Sequence, residues 1–170
     1  MIKLNFFSLT LFFFVIPFIL KSFSDEKTKN SLLYDFSGKV NVTDGDTIKH
    51  GNIKIRLHGI DAPEIKQTCQ TKTKKSYPCG YRSYIHLKSL IKNKTVYCQN
   101  KTKDRYGRFV SECFTKDLNL NSTMVKDGWA IAYRYFSEDY IPEEEIAKRL
   151  KKGIWQGTYI EPYVWRKKNK

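Results

Sequence analysis

Val40-Asn41-Val42-Thr43-Asp44-Gly45-Asp46-Thr47-Ile48, running through His50-Gly51-Asn52 into Ile53-Lys54-Ile55-Arg56-Leu57-His58, decides how this chain folds. Val40 and Val42 alternate with polar neighbours, the period of a half-buried strand, and Ile48 resumes that period beyond an Asp-Gly turn. His50-Gly51-Asn52 is a second turn signal. Ile53, Ile55 and Leu57 then fall on one face of a strand, with Lys54, Arg56 and His58 on the other. Arg56 is therefore expected to point away from the side that Ile55 and Leu57 bury.

Outward from this unit the pattern is uneven. Residues 64–78 show little periodicity and carry Lys66, Lys72, Lys74 and Lys75, which reads as a long exposed loop. Residues 82–92 place Tyr84, Leu87 and Ile91 at helical spacing. Short strands are expected at residues 95–98 and 109–114, on either side of a turn at Tyr106-Gly107. Residues 118–126 read as a short helix closed by Gly128. A further helix starts at Pro142 with Glu143, Glu144 and Glu145 in its first turn. It ends among Lys148, Arg149, Lys151 and Lys152 before Gly153, so its charges complement the helix dipole at both ends. Five short strands with an inserted helix fit an α+β fold: a small OB-type five-stranded β-barrel with three helices.

The chain has 170 residues, enough for one domain around a single core, and a formal charge of +14. Such a field attracts polyanions, so nucleic acid is the expected partner. Lys3, an apolar run from Leu4 to Leu20 broken by Asn5, Ser8 and Thr10, and the small-x-small Ser22-Phe23-Ser24 read as an export signal over residues 1–24. The competing reading is an uncleaved N-terminal membrane anchor. Residues 25–35 read as a mobile lead-in, 36–165 as the folded domain and 166–170 as a basic tail. Export implies the periplasm or the medium, with the protein acting as a monomer. Cys69, Cys79, Cys98 and Cys113 suit an oxidising compartment and two disulfides, with three pairings open in principle. A hairpin turning near Tyr106 sets Cys98 opposite Cys113, which leaves Cys69 for Cys79 across the lysine loop. No C-x-x-C spacing supports zinc.

Three polar clusters carry the chemistry: Asp44-Gly45-Asp46-Thr47, Asp61-Ala62-Pro63-Glu64 and Asp104-Arg105-Tyr106-Gly107-Arg108. Phosphodiesters resist hydrolysis because their charge repels hydroxide. A catalyst must hold a water, take its proton and neutralise the phosphoryl oxygens. Asp46 and Asp61 are hard oxygen donors suited to Ca²⁺. Glu64, three residues beyond Asp61, can deprotonate a water beside the metal. Arg56 and Arg108 can each donate paired hydrogen bonds to phosphate. His50, His58 and His86 are scattered and form no metal or catalytic pattern.

These motifs, with Gly128-Trp129-Ala130 and Gly153-Ile154-Trp155, resemble the staphylococcal (thermonuclease-type) nuclease family from Phe36 to Trp165. The cysteines and Tyr163-Val164-Trp165-Arg166 are similar to an exported bacterial branch. The resemblance implies an OB-fold, Ca²⁺-dependent phosphodiesterase that cleaves DNA and RNA to 3′-phosphate ends. It assigns Asp46, Asp61 and the Ala62 carbonyl to the metal, Glu64 to general base, and Arg56 and Arg108 to the phosphate. It assigns Arg105, Tyr106 and Tyr133 to the nucleotide. Two other classes compete with it. One is a non-catalytic OB module that binds nucleic acid or protein; the other is a membrane-tethered basic surface protein.

Overall fold

The computed structural model describes residues 34–116 and 118–169; the export signal and residues 25–33 of the lead-in lie outside the described residues. The opening stretch forms β1 (Phe36–Gly38), β2 (Asn41–Asp44), β3 (Thr47–His50), β4 (Ile53–Leu57) and the two-residue β5 (Ile60–Asp61). Next come β6 (Cys69–Thr71), β7 (Ser76–Tyr77), helix α1 (Cys79–Ile91), and the long hairpin of β8 (Val96–Lys103) and β9 (Phe109–Thr115). The chain closes with β10 (Leu118–Asn119), α2 (Leu120–Lys126), β11 (Ile131–Ala132), α3 (Ile141–Arg149), a 3₁₀ turn at Gly153–Gln156, β12 (Gly157–Thr158) and α4 (Pro162–Lys168).

The main sheet runs β1-β8-β9-β4-β3-β2, with β10 on β9. Its other pairs are antiparallel, but β4 and β9 run parallel, Ile55 opposite Phe109 and Leu57 opposite Ser111. That crossover curls the sheet, giving the expected α+β, OB-like architecture. Ile48, Ile55 and Leu57 are buried inside it with Leu87 of α1 and Leu120 and Met124 of α2. Arg56 stands between two buried neighbours and faces the other way, while Ile53, at the strand's start, remains exposed.

A buried asparagine joins three elements. Asn121 Nδ2 donates to His58 O (2.9 Å) and Ser111 O (3.2 Å), and its Oδ1 accepts from Cys113 N (3.0 Å). The end of β4, the middle of β9 and α2 are therefore fixed together by groups that would otherwise be buried unpaired. Cys98 and Cys113 face each other across the β8–β9 ladder and form one disulfide; Cys69 and Cys79 form the other.

Two stretches differ from the sequence reading. Residues 64–78 are not a loose loop: β6 pairs with β7 and with β12, and Gln67, Cys69 and Tyr77 are buried. The strands are two or three residues long, too short to show a period, and the Cys69–Cys79 bond fixes them. At the other end, α4 crosses the point where the basic tail was expected to begin, making four α-helices among the described residues rather than three. No helix among the described residues is long and apolar enough to cross a membrane.

Candidate active site

The turn at the end of β2 and the turn after β5 meet. Asp46 and Asp61 are buried, and Arg56 bridges them: Nη1 donates to Asp46 Oδ1 (2.8 Å) and Nη2 to Asp61 Oδ1 (3.0 Å). The bridge exists because β3 and β4 are antiparallel neighbours, with Thr47 opposite Arg56. Asp46 is further held by the Thr47 hydroxyl (2.9 Å), and its Oδ2 accepts the Ala62 amide (3.2 Å). Asp61 is placed by the pairing of β5 with β11, Asp61 opposite Ile131. The same pairing carries Tyr133 alongside, its amide donating to Gly59 O at 2.8 Å.

Gly45 has a different use from the one its sequence context implies. Its backbone has no positive φ, so the turn does not require glycine. A Cβ there would strike Ser83 of α1 and the Ala62 side chain. The glycine lets α1 press against the turn that carries Asp46.

Glu64 is set by a second framework. Its amide donates to Gln67 Oε1 (3.2 Å), its carbonyl accepts from Gln67 N (2.7 Å), and Gln67 is fully buried. Gly80, at the start of α1, packs so closely on the Glu64 carbonyl that any Cβ would collide with it. The neighbouring Cys79 is bonded to Cys69. The stretch read as a lysine loop is thus the buttress behind Glu64.

Arg166 joins Glu64 to the buried acids. Its Nη1 donates to Asp61 Oδ1 (2.8 Å) and Glu64 Oε1 (3.0 Å), and its Nη2 to Asp61 Oδ2 (3.1 Å). The sequence reading put this residue in the tail. The available signal was its place as the last residue of Tyr163-Val164-Trp165-Arg166, and nothing local ties that position to Asp61, 105 residues away.

The site holds more acid than its two guanidinium groups balance. Burial works to raise the Asp46 carboxyl, but the Arg56 charge and its hydrogen bonds hold it below the ordinary value. Asp61 is pushed up, by burial and then by the Asp46 charge, against the pull of Arg166 and Arg56. Asp44, whose Oδ1 accepts from Asp46 N at 3.0 Å, is pushed up to about 8 by burial and by the Asp46 carboxylate. Its sequence context suggested only a turn. A carboxyl driven to hold its proton by a neighbouring carboxylate marks a place where added positive charge is favoured. The donors are all hard oxygens, so their chemistry fits Ca²⁺. Among the described residues no three His, Cys, Asp or Glu side chains stand together as a ready metal cage, and Asp61 and Glu64 are both occupied by Arg166.

The third motif sits at the tip of the β8–β9 hairpin. Asp104 organises it: Oδ1 accepts from the amides of Tyr106 (2.9 Å) and Arg108 (3.0 Å), and Oδ2 from the Arg108 side chain at 2.7 Å. The guanidinium groups of Arg105 and Arg108 lie 5.0 and 5.6 Å from the centre of the Tyr106 ring, which is largely exposed. The parallel register of β9 on β4 brings Arg108, the residue before Phe109, beside the strand that carries Arg56. Its side chain is held by Asp104 and not by the buried acids. Tyr133 forms an aromatic cluster with Tyr135, Phe136 and Tyr163, and its hydroxyl is pushed up by burial and by the Asp61 charge. The histidines do structural work: His50 Nδ1 pairs with Lys39 O, His58 faces Asp139, and His86 binds Asp127.

A curled OB-like sheet with buried aspartates bridged by an arginine defines a class, and comparison with known proteins names it. Residues 54–157 match the family described as Staphylococcal nuclease homologue, and the chain belongs to that family of nucleases. An "Uncharacterized endonuclease" of Haemophilus influenzae is 37% identical over 139 residues, covering 77% of this chain and 72% of the relative. A protein of the same description from Escherichia coli O157:H7 is 34% identical over 144 residues, covering 79% and 88%. A "Micrococcal nuclease" of Shigella flexneri is 33% identical over 155 residues, covering 80% and 83%.

Proposed function

We propose that this chain is an exported, Ca²⁺-dependent endonuclease that hydrolyses phosphodiester bonds of DNA and RNA, breaks the bond to the 5′ oxygen and leaves 3′-phosphate ends. The observation that carries this reading is the convergence of Asp46 and Asp61 on Arg56, with Glu64 linked to Asp61 through Arg166, in a chain of a nuclease family. The two disulfides support an oxidising, exported location.

Asp46, Asp61 and the Ala62 carbonyl would hold the cation. When bound, it would supply charge for the phosphoryl oxygens and make a neighbouring water more acidic. Glu64 takes the proton from that water as it attacks phosphorus. Arg56, fixed in place by two carboxylates, donates to a phosphoryl oxygen as charge builds in the five-coordinate transition state. Arg108 reaches in from the hairpin tip to a second phosphoryl oxygen. Arg105, Tyr106 and Tyr133 hold the nucleotide, and stacking on their rings favours single or frayed strands.

The test is digestion of single- and double-stranded DNA and RNA by the purified mature protein, with calcium and then with chelator, followed by analysis of the product ends. Activity should depend on calcium and leave 3′-phosphates. Arg56→Ala, Glu64→Ala and Arg108→Ala should each lower turnover by at least ~10²-fold, the scale of one lost transition-state contact. Full activity in all three folded variants would refute the assignment. No digestion at all by the wild type would favour a non-catalytic binding module.

A further inference from the structure

Helix α4 is not needed by the reaction described above, yet it touches both halves of the site. Arg166 takes both oxygens of Asp61 and one of Glu64. Tyr163, on the same helix, lies stacked on Tyr133, the rings 6.4 Å apart and inclined by 28°. One short segment therefore sets a positive charge against the acids that would hold a cation, and an aromatic ring on the side chain that would hold a base.

The helix has little fully buried surface. Of its residues only Pro162 is buried, while Lys167 and Lys168 are exposed. The firm attachment comes just before it, where buried Gln67 donates from Nε2 to Ile160 O (2.6 Å) and uses its Oε1 to hold the Glu64 amide. The chain is pinned at Ile160; beyond it Pro162 is buried, residues 163–166 are half-buried, and the polar side-chain contacts of the helix to the site come from Arg166. Segments with so little buried contact open more readily than the core.

We propose that α4 is an internal clasp, with Arg166 filling the charge of the metal and Tyr163 covering the base platform until cation and substrate displace them. The proposal rests on the nuclease reading. A forked guanidinium matches a carboxylate in geometry and charge. A divalent cation requires oxygens of the same Asp61; Arg56 takes only Oδ1, whereas Arg166 takes Oδ2 as well, so a cation that reaches Oδ2 competes with Arg166. Calcium affinity therefore includes the work of moving Arg166, and a ligand that needs a less populated state binds more weakly by that fraction.

Calcium titration calorimetry on the wild type, Arg166→Gln, Arg166→Lys and Tyr163→Ala decides the matter, read together with thermal unfolding in chelator and hydrogen exchange of residues 162–168. Arg166→Gln should bind calcium about 10-fold or more tightly than the wild type, with Arg166→Lys between them. Its metal-free melting temperature should fall, and calcium should speed amide exchange in α4 of the wild type. Equal or weaker binding, an unchanged metal-free melting temperature, or α4 amides that calcium leaves as protected as before would each overturn the clasp. If Arg166→Gln does not fold, Tyr163→Ala carries the affinity test with the same expected sign. A wild type that takes up calcium and digests DNA, with no gain in affinity in either variant, removes the clasp alone. A wild type that takes up no calcium also sinks it, and failure to digest DNA removes the nuclease reading too.

Discussion

Arg56 and Arg108 are assigned the same task, but the molecule holds them in opposite ways. Arg56 lies between two strands, 15% exposed, with a buried carboxylate on each side. Arg108 sits on a hairpin tip, bound to an aspartate four residues earlier in its own turn. The first arginine ties distant segments of the fold together; the second is bonded within its own turn. A site built this way has one preorganised wall and one that can adjust to an incoming strand.

The sharpest way to break this contrast is to remove each arginine and measure stability beside turnover. Arg56→Ala leaves buried Asp46 without its guanidinium partner and Asp61 with Arg166 alone, so it should cost about 2–4 kcal/mol in chelator as well as its catalytic loss. Arg108→Ala should lose as much activity while costing stability less, about 1 kcal/mol, because its partner Asp104 lies in the same turn and both stay partly solvated. Denaturant midpoints of the two variants check this. Equal destabilisation would end the comparison.

The disulfides extend it. Cys98–Cys113 braces the barrel, whereas Cys69–Cys79 lies beside Gly80, whose backbone supports Glu64. Replacing either pair with serines should cost roughly 2–4 kcal/mol. Only the Cys69/Cys79 pair should also lower kcat of the folded protein, by about 10-fold, a fraction of the effect of losing a positioned catalytic group outright. Initial rates well below the melting temperature separate the two effects.

The smallest effect concerns pH. Burial works to raise the Asp104 carboxyl, but the hydrogen bonds from the Arg108 side chain and from the amides of Arg108 and Tyr106 together hold it below its ordinary value. A depressed carboxyl stabilises the fold above its unfolded pKa, and the contribution is lost as pH falls through the folded one. The stability difference between wild type and Asp104→Ala should therefore be flat from pH 7 to 5, under about 1 kcal/mol, and shrink below about pH 4. A difference that grows on acidification would contradict the hydrogen-bonded tip.

Much of the fold was legible because its signals are local. The alternation of Ile53, Ile55 and Leu57 belongs to one strand, and turn residues separate it from Val42 and Ile48. The hairpin partner of Cys98 could be found for the same reason. Residues 64–78 were misread because their order comes from pairing with Gly157 and Thr158 and from a covalent bond, neither of which leaves a period in the sequence. Gly45 was read as a turn residue, while its lack of a side chain is set by Ser83 on a helix far along the chain.

The inventory is readable from the order of residues alone: which acids, arginines and aromatic rings the protein has, and most of the strands and turns that carry them. Those follow from side-chain chemistry and short-range backbone preference. Only the tertiary structure decided the pairings: Arg56 between Asp46 and Asp61, Gln67 behind Glu64, and Arg166 across 105 residues onto Asp61. A charge finds its partner through the packing of distant segments, and that packing is a property of the whole core rather than of any stretch within it.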